Sequence, residues 1–226
     1  MVDEYLSERE QADQLKHWLR ENWLWMVAGV ALGLGGLYGN RWWETHRHAR
    51  SLEAEQRYAA MLDALSRNER AEGLKLAGEI TGEYTDTPYA DQALLLLARL
   101  DVESGALDEA AATLAGVMNG TRDPDLALIA RLRLARVQLA QGQYDQALAT
   151  LDGVADPAVE ARVAELRGDV LLARGETVAA LVAYRQAEAA AQAASGGQGL
   201  VDPDLLRLKI DELAATAETA AATVAE

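Results

Sequence analysis

Few side chains in this sequence are equipped for chemistry, and they are scattered. The imidazoles are His17, His46 and His48. His46 and His48 stand two apart, which on a helix turns them in different directions, so they cannot close on one metal ion. Cysteine is absent, which removes thiol catalysis, thiolate metal sites, disulfides and an acylated-cysteine anchor together. Carboxylates are plentiful but spread along polar faces beside arginines, the pattern of a solvated surface. The glycines between Gly29 and Gly39 follow no strand and precede no Lys-Ser/Thr, so they are not a phosphate loop. The residues therefore predict no catalytic, cofactor-binding or metal-binding site, and no enzyme. The net charge of −15 excludes a basic nucleic-acid footprint, which needs clustered Lys and Arg.

With chemistry set aside, interaction and anchoring remain, and the elements that would serve them are legible. A chain of 226 residues can hold one or two domains and a sizeable core. "NWLWMVAGVALGLGGLYGNRWW" runs from Asn22 to Trp43 without a charge until Arg41. As a helix, Trp23–Gly39 is about 25 Å long, near the lower limit for a hydrocarbon core of roughly 30 Å. Trp23 and Trp25 at one end, and Tyr38, Trp42 and Trp43 at the other, suit the two interfaces, because their rings are apolar while their N–H or O–H groups seek water. Arg41 can extend its guanidinium outward. A core helix would carry a polar face, and this stretch has none. A cleaved signal peptide would have a short basic leader and a small-residue cleavage site. Here the leader is acidic and Asn40-Arg41-Trp42-Trp43 follows, so the run reads as an uncleaved anchor at 22–43. Lys and Arg near its two ends do not fix orientation, and taken literally they lean toward a cytoplasmic C-terminus.

Gly29/Gly33 and Gly35/Gly39 are small residues four apart, which would let a second helix approach closely. They could equally face lipid. Ahead of the run, Ser7-Glu8-Arg9-Glu10 fits a capping box. Leu15, Trp18 and Leu19 share a face, giving residues 1–21 a short amphipathic helix that lies at the interface or continues into the anchor.

Beyond the anchor the sequence repeats. "LLARLDVESGALDEAAATLAGV" (Leu96–Val117), "LRLARVQLAQGQYDQALATLDGV" (Leu132–Val154) and "LRGDVLLARGETVAALVAYRQA" (Leu166–Ala187) align, with Gly105, Gly142 and Gly175 in register. Each glycine stands where a helix-ending left-handed residue is wanted. The small positions Ala98, Ala135 and Gly168 precede them; Ala110, Ala147 and Ala180, then Leu114, Leu151 and Tyr184, follow. Each unit is thus a helical hairpin whose small residues let two helices cross closely and whose large ones fill the space to the next. A hairpin cannot bury both faces alone, so several must stack into a solenoid. The glycines are spaced by 37 and then 33 residues, which brackets the roughly 34 of tetratricopeptide repeats.

The expected architecture is all-α: one N-terminal transmembrane helix, then a tetratricopeptide-like solenoid over 44–213. Its units fall at about 52–88, 91–118, 128–155 and 161–190, with a capping helix at 203–213. In the first unit, Pro88 would end a helix. Ser195–Gly199 reads as a flexible break, Asp202 as an N-cap with Pro203 at the first helical position. The Ala-rich tail 214–226 should fray for want of anything to bury. Acidic side chains outnumber basic ones from Glu44 onward, which either favours basic or neutral clients or only secures solubility.

"EQADQLKHWLRENW", the glycine-rich run, "GNRWWETHR", "LRLARVQLAQGQYDQALATLD" and "ELRGDVLLARGE" together resemble the YfgM family, over about Glu8–Leu213. These are bacterial tetratricopeptide-like ancillary subunits of the SecYEG translocon. The resemblance implies a single-pass protein of the bacterial inner membrane, with its N-terminus in the cytoplasm and its helical domain in the periplasm. It also implies contact with SecYEG, with a periplasmic chaperone such as PpiD, and with emerging polypeptide clients, and a role as translocon accessory and chaperone-linked adaptor. It brings no catalytic residue and no cofactor. The other reading that the residues allow is a membrane-tethered, self-associating scaffold without a role in translocation.

Overall fold

A computed structural model describes the backbone of residues 8–154, 156–193 and 201–224, and the side chains of 16–154, 156–193 and 201–215. Ser7, the Ser195–Gly199 break and the end of the tail lie outside these residues. Among them the secondary structure is helical throughout: α1 (Glu8–Ser66), α2 (Arg70–Glu83), α3 (Pro88–Glu103), α4 (Leu107–Gly120), α5 (Pro124–Ala140), α6 (Tyr144–Leu151), α7 (Glu160–Ala173), α8 (Thr177–Ala193) and α9 (Pro203–Val224). The chain divides into two units, Met1–Glu53 and Ala54–Glu226.

The first unit is built on most of α1, a helix of 59 residues without a break at either end of the uncharged run. Asn22 donates to the Trp18 carbonyl and Thr45 to the Arg41 carbonyl, each bonding back one turn. Large apolar side chains project on all sides: Trp23, Leu24, Trp25, Val30, Leu32 and Leu37 are all exposed, Trp25 to 77%. By hydropathy, no helix among the described residues is long and apolar enough to cross a membrane. The five glycines and the flanking Trp and Tyr lower the average of the run, although no charge enters it before Arg41.

The second unit is a stack of helical hairpins. Its first is the end of α1 with α2, which share a core cluster, followed by α3–α4, α5–α6 and α7–α8, and α9 packs on α8. Beyond consecutive neighbours, α3 packs on α5 and α5 on α7, so the first helices of successive hairpins form one layer. The core passes down the stack in four clusters. Met61, Ile80 and Ala93 fill the first and Leu95, Leu114 and Leu134 the second. Leu151, Val163 and Leu166 fill the third, and Tyr184, Leu206 and Leu213 the last. The first three clusters each draw from two hairpins and the last from α7–α8 and α9, so no hairpin is a complete core by itself.

One turn closes all four hairpins. Gly105, Gly142 and Gly175 have φ of +80°, +73° and +90°. In each turn, the glycine N–H donates to the carbonyl three residues back, and the next N–H to the carbonyl five back. This is the Schellman arrangement. Asn68 makes the same pair of bonds with φ of +63°. It stands 37 residues before Gly105, so asparagine, whose side chain tolerates the left-handed region, supplies the turn of the first hairpin.

Two expectations need correction. Pro88 does not end a helix: it opens α3, after Thr87. Proline lacks the N–H that an interior helical position needs, and the first turn has no use for that N–H. The capping helix does not stop at 213, because α9 continues to Val224. Alanine has the highest helix propensity, and nothing in this segment terminates the helix. At its start, the Asp202 carboxylate accepts from the N–H groups of Asp204 at 3.0 Å and Leu205 at 3.3 Å.

Candidate interaction surface

The repeat positions are set into the hairpins by size. Ala98, Ala110, Ala135, Ala147 and Ala180 are fully or almost fully buried, and Leu114 and Leu151 fill the space between neighbouring helices. Ala98, Ala110 and Leu114 meet in one cluster, Ala135 and Leu151 in another, and Ala180 and Tyr184 in a third. Gly168 faces Tyr184 so closely that a Cβ at 168 would lie 2.5 Å from Tyr184 Cε1. The glycines of the uncharged run are different. At Gly29, Gly33, Gly35 and Gly39 a Cβ would meet nothing within 4 Å, so nothing in the first unit uses their small size.

Polar links stitch the hairpins at a repeating position. The side chain before a turn glycine reaches the acidic residue three after the preceding turn glycine: Gln141 to Asp108 at 2.6 Å, and Arg174 to Asp145 at 2.8 Å. These pairs are exposed and hold register more than they add stability.

The last hairpin and α9 share a buried polar cluster. Glu165 is only 3% exposed. It pairs with Arg162 one turn before it and with Lys209 Nζ at 3.0 Å. The Lys209 ammonium also lies 2.7 Å from Asp169 Oδ1 and 5.2 Å from the centre of the Tyr184 ring. Tyr184 Oη donates to the same Asp169 oxygen at 2.7 Å. A lysine of α9 thus joins two carboxylates of α7 and the face of an α8 aromatic. Such a cluster costs desolvation and is tolerable only because its members satisfy one another. Its effect is to fix α9 on the stack.

The histidines lie apart. His17 Nδ1 is 3.5 Å from Glu21, and His46 stacks on Trp42 with ring centres 5.5 Å apart. Among the described residues, no group of three His, Asp or Glu side chains comes together as a metal site.

Against known proteins, residues 16–215 match the model of a tetratricopeptide repeat-like domain family. The ancillary SecYEG translocon subunit of Haemophilus influenzae is 31% identical over 208 residues, covering 92% of this chain and 98% of its own length. The protein of the same name from Escherichia coli K12 is 32% identical over 180 residues, covering 80% of this chain and 86% of its own. The chain belongs to the YfgM family. No solved structure matches it.

In this YfgM-family chain, the sequence pattern found Gly168 and Tyr184 as packing positions but missed Arg162, Glu165, Asp169 and Lys209. Half of a signal was present. Glu165 and Asp169 are four apart and so share a face of α7, but Lys209 stands among Arg207, Asp211 and Glu212, and nothing local marks it as their partner. Burial raises the Tyr184 phenol well above the usual tyrosine range, and its hydrogen bond to Asp169 adds to this. Burial alone would lower Lys209, but its bonds to Asp169 and Glu165 outweigh that and raise it.

Both folded values lie above the unfolded ones, near 10 for each group. Their stabilisation is therefore complete below about pH 10 and is lost as pH rises toward the folded values. Denaturant titrations should give constant stability from pH 7 to 9 and a fall above 10, if these groups alone are considered. Tyr184→Phe should lose about 1 kcal/mol at neutral pH with its hydrogen bond and show a shallower alkaline fall. An alkaline limb identical to that of the parent would contradict the arrangement.

Proposed function

We propose that this protein is an accessory of the SecYEG translocon, anchored in the bacterial inner membrane by α1, with its hairpin stack in the periplasm. The observation that carries the proposal is the union, in one chain, of an all-round exposed apolar helical run with a YfgM-type repeat domain. The relatives' name, ancillary SecYEG translocon subunit, supplies the partner. As a helix the run satisfies its own backbone polar groups, the condition for entering lipid. Glycine lowers its hydropathy without adding a charge that would oppose insertion. The Trp and Tyr residues at both ends suit the interfaces and extend the effective span.

In this reading α1 places the repeat domain beside the channel. Gly29/Gly33 and Gly35/Gly39 offer small-residue notches for a neighbouring helix. The stack presents an extended surface on which a chaperone such as PpiD, or an emerging chain, is held. The acidic surface favours basic or neutral segments. No bond is made or broken; the function is positioning.

The absence of cysteine gives a direct test of topology. Single cysteines replace Ser104, at the exposed α3–α4 turn, or Glu4, and intact cells are treated with a maleimide that reaches only the periplasm. Labelling at 104 but not at 4 is expected. Labelling at 4 alone would put the stack in the cytoplasm and end the proposal.

A further inference from the structure

The geometry points to a binding site for one anionic phospholipid on the face of α1 that runs from Leu34 to His48; this inference rests on the membrane-spanning reading above. Residues 34, 37, 41, 44, 45 and 48 recur at helical spacing and line one open groove on that face. The groove has two chemically distinct ends. Leu34 and Leu37 form the apolar end, and Arg41, Thr45 and His48 lie at the polar end. From Leu34 to His48 the helix rises about 21 Å, enough for the inner part of one lipid leaflet and its headgroup. An acyl chain would lie along the leucines, and the phosphate would meet Arg41 and His48.

Charge selects the class of lipid. The chain carries −15 overall, yet Arg41–Arg50 contains Arg41, Arg47 and Arg50 against Glu44 alone. Among the described residues, neither Arg41 nor Arg47 has an ion-pair partner. Glu44 is the one carboxylate in the groove, and its Oε1 already accepts from the Asn40 amide at 3.0 Å. Trp42 and Trp43 are both exposed in the same stretch and suit the headgroup level. A cationic, aromatic collar at the end of an uncharged run, in an otherwise acidic protein, complements a phosphate with no compensating ammonium. It also accounts for a basic residue on the side where the charge rule would not place one: Arg41 pairs with lipid phosphate.

The test uses the full chain in nanodiscs of equal phosphatidylglycerol and phosphatidylethanolamine, with mass spectrometry of the lipid that stays bound after release. Carbonate extraction of the same protein from native membranes is run in parallel. The parent should retain phosphatidylglycerol over phosphatidylethanolamine. Arg41→Gln should lower that preference about fivefold, as expected for one basic residue at a charged membrane surface. Arg47→Gln, off the groove face, should lower it less, and both variants should resist carbonate. Excess inorganic phosphate should not displace the lipid.

Retention at the bulk ratio by a carbonate-resistant parent would overturn the site while leaving the anchor standing. So would preference for phosphatidylethanolamine, displacement by free phosphate, or an unchanged ratio in the Arg41→Gln variant. Extraction of the parent by carbonate would overturn the anchor and the site together.

Discussion

Gly168→Ala is expected to destabilise the repeat domain by about 2 kcal/mol, while Gly116→Ala, the same change two hairpins earlier, stabilises it. Both glycines are interior to helices, so each substitution gains up to about 1 kcal/mol of helix propensity. Space decides the sign. At Gly116 a new Cβ meets nothing within 4 Å. At Gly168 it would lie 2.5 and 2.6 Å from two carbons of the Tyr184 ring, distances at which the ring must move. The ring cannot yield cheaply: it is 0% exposed, its hydroxyl is held by Asp169, and Lys209 covers its face. Overpacking of this kind costs about 1–3 kcal/mol, and the upper end less the propensity gain leaves about 2. For a domain of this size that is a fall in Tm of about 4–8 °C. Thermal unfolding of the two variants side by side checks it. A Gly168→Ala protein as stable as its parent would mean that Gly168 and Tyr184 are not in contact.

Lys209→Met is expected to be at least as damaging, and to loosen α9 before the rest of the stack. Methionine keeps the stem of the side chain but leaves Glu165 with Arg162 alone and Asp169 with Tyr184 alone. Removing one partner from a buried ionic cluster costs about 3–5 kcal/mol. Lys209 and Asp169 retain 25% and 30% of their side-chain exposure, so solvent screening reduces this to about 2–3. Limited proteolysis should cut within 201–224 at protease levels that spare the parent. Adding Glu165→Gln should recover part of the loss, because an amide beside Arg162 costs less than a buried carboxylate short of a cation. Release of α9 in neither protein would show that its apolar contacts, Leu206 and Leu213 among them, suffice.

What the sequence made legible follows from the range of each interaction. The hairpin turns are local: a left-handed residue between two helices needs glycine, and Gly105, Gly142 and Gly175 announce themselves by register. The equivalent turn at Asn68 did not, because asparagine meets the same backbone demand through a different side chain. The α7–α9 cluster was hidden for another reason. Lys209 is about forty positions from both Glu165 and Asp169, and their pairing depends on α9 folding back on the last hairpin, which no local pattern encodes. Gly168 and Tyr184 were legible as packing positions but not as partners, since their contact depends on how closely α7 and α8 cross. Pro88 was misread because proline marks both a helix start and a helix end, and only the residues packed on either side decide which. The charge-free run between Glu21 and Arg41 was legible as such; its reading as an anchor, and the orientation that the family resemblance implies, belong to the proposed function.

The central claim, that this chain works at the SecYEG channel, is tested most directly by recovering it. Full-length protein with a C-terminal affinity tag is expressed at native level, extracted in mild detergent, and its partners are quantified. SecY and SecE are expected at a constant ratio to the tagged protein, and that ratio should drop when Gly29, Gly33, Gly35 and Gly39 are replaced by leucine without loss of membrane insertion. Membrane-inserted protein that recovers no SecY or SecE, under conditions that keep the channel itself intact, would contradict the claim.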